Sequence, residues 1–151
     1  WRYDKPGNRK EDFVLNNPRY RGKVLVAGRN FGCGSSREHA VWAISGYGFR
    51  AVVSSFFADI FRNNALNNGL LPVMVPEDYL ERLLKSIHDD PDTTVRVDLG
   101  NQVFSVLPHG EPLHFEINNY KKECLMKGLD DVDYLTGLKN EISAFESRKT
   151  T

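Results

Sequence analysis

Lys23-Val24-Leu25-Val26-Ala27-Gly28 runs straight into Arg29-Asn30-Phe31-Gly32-Cys33-Gly34, and from Ser35 the spacing changes to that of a helix. The first six residues form a short apolar run rich in β-branched side chains, which predicts a buried strand. The glycine-rich turn after it and the apolar positions Ala40, Ala43, Ile44 and Tyr47 at intervals of three or four predict a turn and a helix ending near Gly46 or Gly48. Downstream the grammar repeats. Ala51-Val52-Val53-Ser54 reads as a second buried strand, Phe56 to Leu66 as a helix stopped by Asn68-Gly69, Leu70 to Val75 as a third strand, and Glu77 to His88 as an amphipathic helix. Strand and helix in strict alternation imply parallel strands joined by crossover helices.

After Asp89-Asp90-Pro91-Asp92 the period changes to two. Thr94 to Asp98 and Gln102 to Leu107 alternate apolar and polar residues around Gly100-Asn101, which predicts a hairpin with one wet face, and Leu113 to Ile117 offers another strand. The last stretch, from Asn118, reads as two short helices around Gly128-Leu129-Asp130-Asp131. The expected organisation is therefore one α/β domain over 1–151: an irregular segment 1–22, an α/β core 23–117 and a helical tail 118–151.

Composition narrows the function classes. In 151 residues, 20 Lys and Arg balance 20 Asp and Glu, so the basic excess usual in nucleic-acid binders is missing. The longest apolar stretch, Leu70 to Val75, is far below the roughly 20 residues of a membrane span. Through Lys23 the chain carries seven basic and three acidic side chains, a local +4 that reads as a solvated arm. Two cysteines, Cys33 and Cys124, with no C-x-x-C, fit neither a disulfide scaffold nor a cubane iron–sulfur cluster, which takes about three or four thiolates. No metal site and no cofactor are expected in this chain, no nucleic acid or membrane is expected as a partner, and free thiols point to the cytoplasm.

The segment Gly32-Cys33-Gly34-Ser35-Ser36-Arg37-Glu38-His39 carries the chemistry. Between a buried strand and a helix, backbone N–H groups point outward and favour an anion, and glycines flanking Cys33 permit close approach of a ligand. Lys is missing after the last glycine, so this is no Walker A loop. Arg37 stands where a dinucleotide fingerprint needs glycine. Ser35-x-x-Glu38 is equally readable as a capping box, with no chemical role. Against that stands Arg37 beside two serines, since Arg binds carboxylate bidentately and a cap has no need of it. His39 reads as a packing or hydrogen-bonding residue, Cys33 as a small neighbour of the site, and Asn64 as a helix-end residue able to point inward.

The strings Gly34-Ser35-Ser36-Arg37-Glu38-His39-Ala40, Tyr47-Gly48-Phe49-Arg50-Ala51-Val52, Phe57-Ala58-Asp59-Ile60-Phe61 and Gly69-Leu70-Leu71-Pro72, with Asn64, resemble the swivel domain of the aconitase superfamily. Within it the chain is most similar to the bacterial small subunits of 3-isopropylmalate dehydratases, a likeness that extends to Trp1-Arg2-Tyr3-Asp4, Asp12 to Asn16, and Cys124-Leu125 with Gly128 to Asp131. The resemblance implies a swivel-domain fold, with a mixed-sheet, barrel-like core of parallel βαβ units, flanking helices and a helical tail. It implies a hydro-lyase assembled with a large subunit that holds a [4Fe–4S] cluster and acts on a small dicarboxylate. Isomerisation of 2-isopropylmalate to its 3-isomer through isopropylmaleate, a step of leucine biosynthesis, is the expected reaction. Homoaconitase and citraconate-, methylmalate- or dimethylmaleate-type hydratases share this subunit design, and an anion-binding regulatory module is the non-enzymatic alternative.

By match to the motif, Ser35 is the base that takes the carbon-bound proton. Ser36 and Arg37 hold a substrate carboxylate and stabilise the Ser35 alkoxide, with Gly34, His39 and Asn64 in support. Phe56 departs from the family, which usually has Ser before Phe-Ala. The resemblance also places Trp1 inside the family pattern, so a strand and the loop that meets the substrate's side chain are expected in a segment preceding these residues.

Overall fold

The computed structural model describes residues 2–20, 22–34 and 37–149, the side chain of Lys149 excepted. Its centre is a parallel sheet of β3 (Val24–Val26), β4 (Ala51–Ser54) and β5 (Leu71–Met74), in the order β3-β4-β5. Val24, Leu25 and Val26 pair with Ala51, Val52 and Val53, and residues 51–54 pair with 71–74. The crossovers are α1 (His39–Tyr47) and α2 (Asp59–Asn67), as the alternating pattern requires. Pro72, which lacks an N–H, is tolerated because β5 is an edge strand.

Every residue of β4 is buried, because each face of the sheet is covered. One face, with Val52 and Leu25, packs with Val41 of α1, Phe61 and Ala65 of α2, Phe49, Phe57 and Leu70. The other, with Ala51, Val53, Leu71 and Val73, packs with Leu80 and Leu83 of α3 (Glu77–Asp89) and with Phe104 and Phe115. These last two belong to the second sheet, built from β6 (Thr94–Asp98), β7 (Val103–Leu107) and β8 (Leu113–His114), all antiparallel in the order β6-β7-β8. The parallel and antiparallel sheets thus share one core. Ahead of them, β1 (Tyr3–Lys5) and β2 (Asn8–Arg9) form a small hairpin, and two single 3-10 turns follow at Val14–Asn16 and Pro18–Tyr20.

Several boundaries differ from the sequence reading. The segment 1–22, expected to be irregular, contains the β1–β2 hairpin, held by Asn16, whose amide donates to the carbonyls of Arg2 and Lys10 at 3.0 and 2.8 Å. The first crossover helix begins at His39 rather than at Ser35. The second begins at Asp59 rather than at Phe56, because Phe57 pairs with Phe31 in a parallel bridge that keeps residues 56–58 extended. Strand β8 ends at His114, short of Ile117. The tail holds three helices, α4 (Asn119–Lys127), α5 (Asp131–Gly137) and α6 (Lys139–Lys149). Gly128, at φ +66°, stops α4, and Asp130 opens α5 with a capping box completed by Asp133. Among the described residues no helix is long and apolar enough to cross a membrane.

Phe104 is fully buried at the contact of the two sheets and lies against Tyr79 of α3, ring centroids 6.0 Å apart. Phe104→Ala is expected to lower the unfolding free energy by about 3–5 kcal/mol, the usual cost of a large core cavity. Equilibrium urea denaturation read by fluorescence and circular dichroism measures the loss.

Candidate active site

Parallel strands of a βαβ unit open their ligand-binding loops at the carboxyl edge of the sheet. Here the loops after β3, β4 and β5 meet at that edge. The loop after β3 carries Cys33, Gly34 and Arg37, all exposed, and delivers the chain to the N-terminus of α1. Ser35 and Ser36, the residues assigned to proton transfer and carboxylate binding, lie outside the described residues. So does the Ser35 half of the capping box. Glu38, which a capping box opened by Ser35 would put inside the first helical turn, instead takes the N-cap position of α1 and makes no side-chain cap bond there. The helix therefore presents its N-terminus beside the loop without a carboxylate satisfying it, which favours a bound anion.

What holds the loop in place is explicit. Ala27 N–H donates to the Val53 carbonyl at 2.9 Å, extending the β3–β4 ladder by one residue. Ser54, the last residue of β4 and fully buried, then ties the two loops together. Its hydroxyl lies 2.8 Å from the Gly28 carbonyl and 3.0 Å from that of Phe56, to either of which it can donate, and it accepts from Phe56 N–H at 3.3 Å. Three residues on, Phe31 N–H donates to the Phe56 carbonyl and the Phe31 carbonyl accepts from Ala58 N–H, both at 3.1 Å. Below this backbone bridge the rings of Phe31, Phe57 and Phe61 pack together, Phe31 edge-on to Phe61 at 5.2 Å.

The two loop glycines have different reasons. Gly32 sits at φ +81°, and a Cβ there would fall 2.3 Å from Cγ of Phe61, so no other residue fits without displacing the aromatic cluster. The requirement is packing, where the sequence suggested ligand approach. At Gly34 a Cβ would meet nothing within 4 Å, and the open space beside it remains available to a ligand.

His39 and Asn64 enter the structure as parts of a brace between α1 and α2. The His39 ring lies 4.7 Å from that of Trp42. Trp42 Nε1 donates to the Asn68 side chain at 2.8 Å, and the Asn68 amide donates to the Asn64 carbonyl, also at 2.8 Å. This fits the packing reading of His39, and it ties Asn64 through its backbone. On the far side of the edge, Arg29 pairs with Glu77 at 3.2 Å, linking the β3 loop to the start of α3, and the hydrogen bond from Arg82 holds the Asp78 carboxyl below the usual carboxylate range. Sequence reasoning missed Ser54 and the Arg29–Glu77 pair. For Ser54 a signal existed: a lone hydroxyl ending an otherwise apolar buried strand needs a partner.

Cys33 is exposed while Cys124 is buried in α4, and among the described residues no three His, Cys, Asp or Glu side chains come together as a metal site. Two cysteines are too few thiolates to hold an iron–sulfur cluster, which takes about three or four.

A parallel sheet with an anion-favouring loop at its carboxyl edge defines a ligand-binding α/β domain, and residues 1–78 match the family model of the aconitase C-terminal domain. The 3-isopropylmalate dehydratase small subunit of Cytophaga hutchinsonii is 55% identical over 146 residues, covering 97% of this chain and 73% of that protein. That of Christiangramia forsetii is 53% identical over 149 residues, covering 99% and 73%. The crystal structure of 3-isopropylmalate dehydratase from Methanocaldococcus jannaschii superposes with a TM-score of 0.62 at 33% identity, over 87% of this chain and 75% of that one. The chain belongs to the small-subunit family of 3-isopropylmalate dehydratases, within the aconitase superfamily.

Gly32→Ala is expected to leave a folded protein of reduced stability whose loop is displaced, because the methyl must move either the backbone or Phe61. The loss of ligand-dependent activity in the assembled enzyme should exceed the loss from Gly34→Ala, where space is free. Thermal midpoints and kcat/KM of the two variants, measured side by side, check the order.

Proposed function

We propose that this chain is the small subunit of 3-isopropylmalate dehydratase and supplies the proton-handling and carboxylate-binding side of a site completed by a large subunit. The observation that supports the reading is the position of Gly34 and Arg37, both exposed between β3 and the start of α1. They stand at the carboxyl edge of the parallel sheet beside the N-terminus of α1, where a carboxylate-bearing substrate finds a positive field.

Dehydration of a 2-hydroxy acid beside a carboxylate needs two opposed groups: a base for the proton on carbon and an acceptor for the departing hydroxide. In this reading Ser35 takes the proton. A serine hydroxyl is a weak base, so its alkoxide must be stabilised, and the Arg37 guanidinium and the N–H groups at the start of α1 are the positive groups that this loop offers. Ser36 and Arg37 hold a substrate carboxylate, the latter through its planar fork. Gly34 leaves the backbone open to the substrate, and His39 and Asn64 back the Trp42–Asn68 hydrogen bond that joins α1 to the end of α2. The large subunit holds the [4Fe–4S] cluster, which supplies the Lewis acidity for hydroxide departure and return. The substrate pair 2- and 3-isopropylmalate, exchanged through isopropylmaleate, places the reaction in leucine biosynthesis and the complex in the cytoplasm.

Two variants test these roles in the complex assembled anaerobically with the large subunit. Ser35→Ala is expected to fold and to bind substrate while kcat falls by about 10²–10⁴-fold, the range for loss of a positioned acid–base group. A helix cap alone would cost about 0.5–2 kcal/mol of stability and leave turnover and solvent exchange of the carbon-bound proton unchanged. For Arg37→Lys the expectation is a loss of at least about tenfold in kcat/KM despite retained charge, on the scale of one charge-assisted hydrogen bond of about 1.5–3 kcal/mol. Full activity in the Lys variant would remove Arg37 from the site.

A further inference from the structure

The basic excess of residues 1–23 has no role in the candidate site, and the structure gathers part of it at the other end of the sheet. Tyr47 closes α1 and Gly22 stands just ahead of β3, so both lie at the amino edge, opposite the loop that carries Gly34 and Arg37. A cavity of about 330 Å³ opens there, lined by Arg2, Arg9, Leu15, Asn16, Gly22 and Tyr47. Two arginines line it, and no carboxylate among the described residues does.

Arg2 is half-buried and fixed on two sides. Its Nε donates to Asn16 Oδ1 at 2.9 Å, and its guanidinium carbon lies 4.8 Å from the centre of the Tyr47 ring. Both supports are themselves held: the Tyr47 hydroxyl donates to the Leu15 carbonyl, and the Asn16 amide is committed to the carbonyls of Arg2 and Lys10. The Arg2 fork is thus set in place, while among the described residues nothing accepts from its two Nη groups. Arg9 comes to the same cavity through the hairpin, in which it pairs with Tyr3. Neither arginine ion-pairs with a described carboxylate, whereas Arg19 of the same segment reaches Asp92 at 3.8 Å. The end of α1 makes no demand on these charges, because Gly48 N–H already donates to the carbonyls of Ile44 and Ser45. An ordered guanidinium with its terminal N–H groups unspent, and a second one on the same cavity, match the two oxygens of an anion.

We propose that this cavity is a second anion site, which takes the carboxylate or phosphate group of a small metabolite between Arg2 and Arg9. It is separate from the loop that carries Arg37, because the two lie at opposite ends of α1, roughly 13 Å of helix apart. A single small anion cannot span them. The cavity stands at the low end of the range of about 300–1,000 Å³ usual for ligand pockets, which suits a ligand of few heavy atoms. Leu15 and the Tyr47 ring give its carbon skeleton an apolar wall, and the arginines hold its charged end.

The test uses the full chain, with Arg37→Ala in every sample so that the site loop contributes least to the signal. Inorganic phosphate and malonate are titrated separately by calorimetry, and amide shifts in nuclear magnetic resonance locate each probe. At least one probe is expected to saturate with a Kd of about 1 mM or tighter and to shift the amides of Gly22 and Tyr47. Arg9→Ala is expected to weaken that binding by at least about tenfold, the loss of one charge-assisted contact, and to keep a thermal midpoint near that of the parent, since Arg9 is exposed. Arg2→Lys keeps the charge but not the fork and is expected to lose as much. Lys85→Ala, on the exposed face of α3, is expected to change nothing. The tighter probe identifies the source, a phosphate ester or a carboxylic acid, and either ranking supports the site. Absence of saturation by both probes overturns it, as does unchanged affinity in Arg9→Ala or an equal loss in Lys85→Ala. These outcomes leave the roles of Ser35, Ser36 and Arg37 untouched, because those are tested in the assembled complex.

Discussion

A single buried hydroxyl holds the functional edge of this domain together. Ser54 is fully excluded from solvent and reaches the backbone of both neighbouring loops, at Gly28 and at Phe56. The Phe56 carbonyl also accepts from Phe31 N–H, so the Ser54 hydroxyl is one of two contacts that tie the loop after β3 to the loop after β4. An alanine there would fill the strand position without making the hydroxyl contact. The geometry of the loop that carries Arg37 depends on this contact and on the Phe31–Phe57 bridge three residues further along.

The constraint also explains why both crossover helices start late. A βαβ unit can begin its helix immediately after the strand, but here the chain first crosses to the neighbouring loop. Phe31 and residues 56–58 exchange two backbone hydrogen bonds, which keeps both segments out of helical φ and ψ until the bridge is complete. Asp59 can then open α2 with an acidic side chain on its first turn, where the helix dipole favours it. The delay leaves residues 32–34 and 37–38 outside the helix, and a loop can bring side chains and backbone N–H groups toward a ligand where a helix would have buried them against the sheet.

Strand identity and order were legible because hydrophobic runs such as Ala51-Val52-Val53 and Leu71-Pro72-Val73 leave no other period to adopt. The start of α1 was not. Ser35-x-x-Glu38 has the capping-box spacing, yet α1 begins at His39 with Glu38 at the N-cap. The N-terminal hairpin was hidden as well. Tyr3-Asp4-Lys5 has no apolar alternation, and its pairing rests on Asn16, distant in sequence. In the tail, Gly128 and the Asp130–Asp133 box marked one boundary correctly, but the break between α5 and α6 at Leu138 carries no proline or left-handed glycine to announce it. For the site, the motif singled out the loop after β3, which lies at the carboxyl edge of the parallel sheet. The residues that position it, Ser54 and Phe61, are ordinary core types whose role appears only when the loop is folded back on them.

Gly32 shows why the positioning shell and the motif have to be read together. A glycine before Cys33 in an anion-favouring loop invites a ligand explanation, and Gly34 keeps that explanation because space beside it is open. Gly32 is instead pressed onto the Phe61 ring, so it belongs to the same aromatic cluster that supports the Phe31–Phe56 clamp. Two glycines separated by one residue therefore serve opposite sides of the loop: one closes it onto the core, and the other leaves open space beside the backbone. A loop built this way is anchored on the core at Gly32 and open to solvent at Gly34.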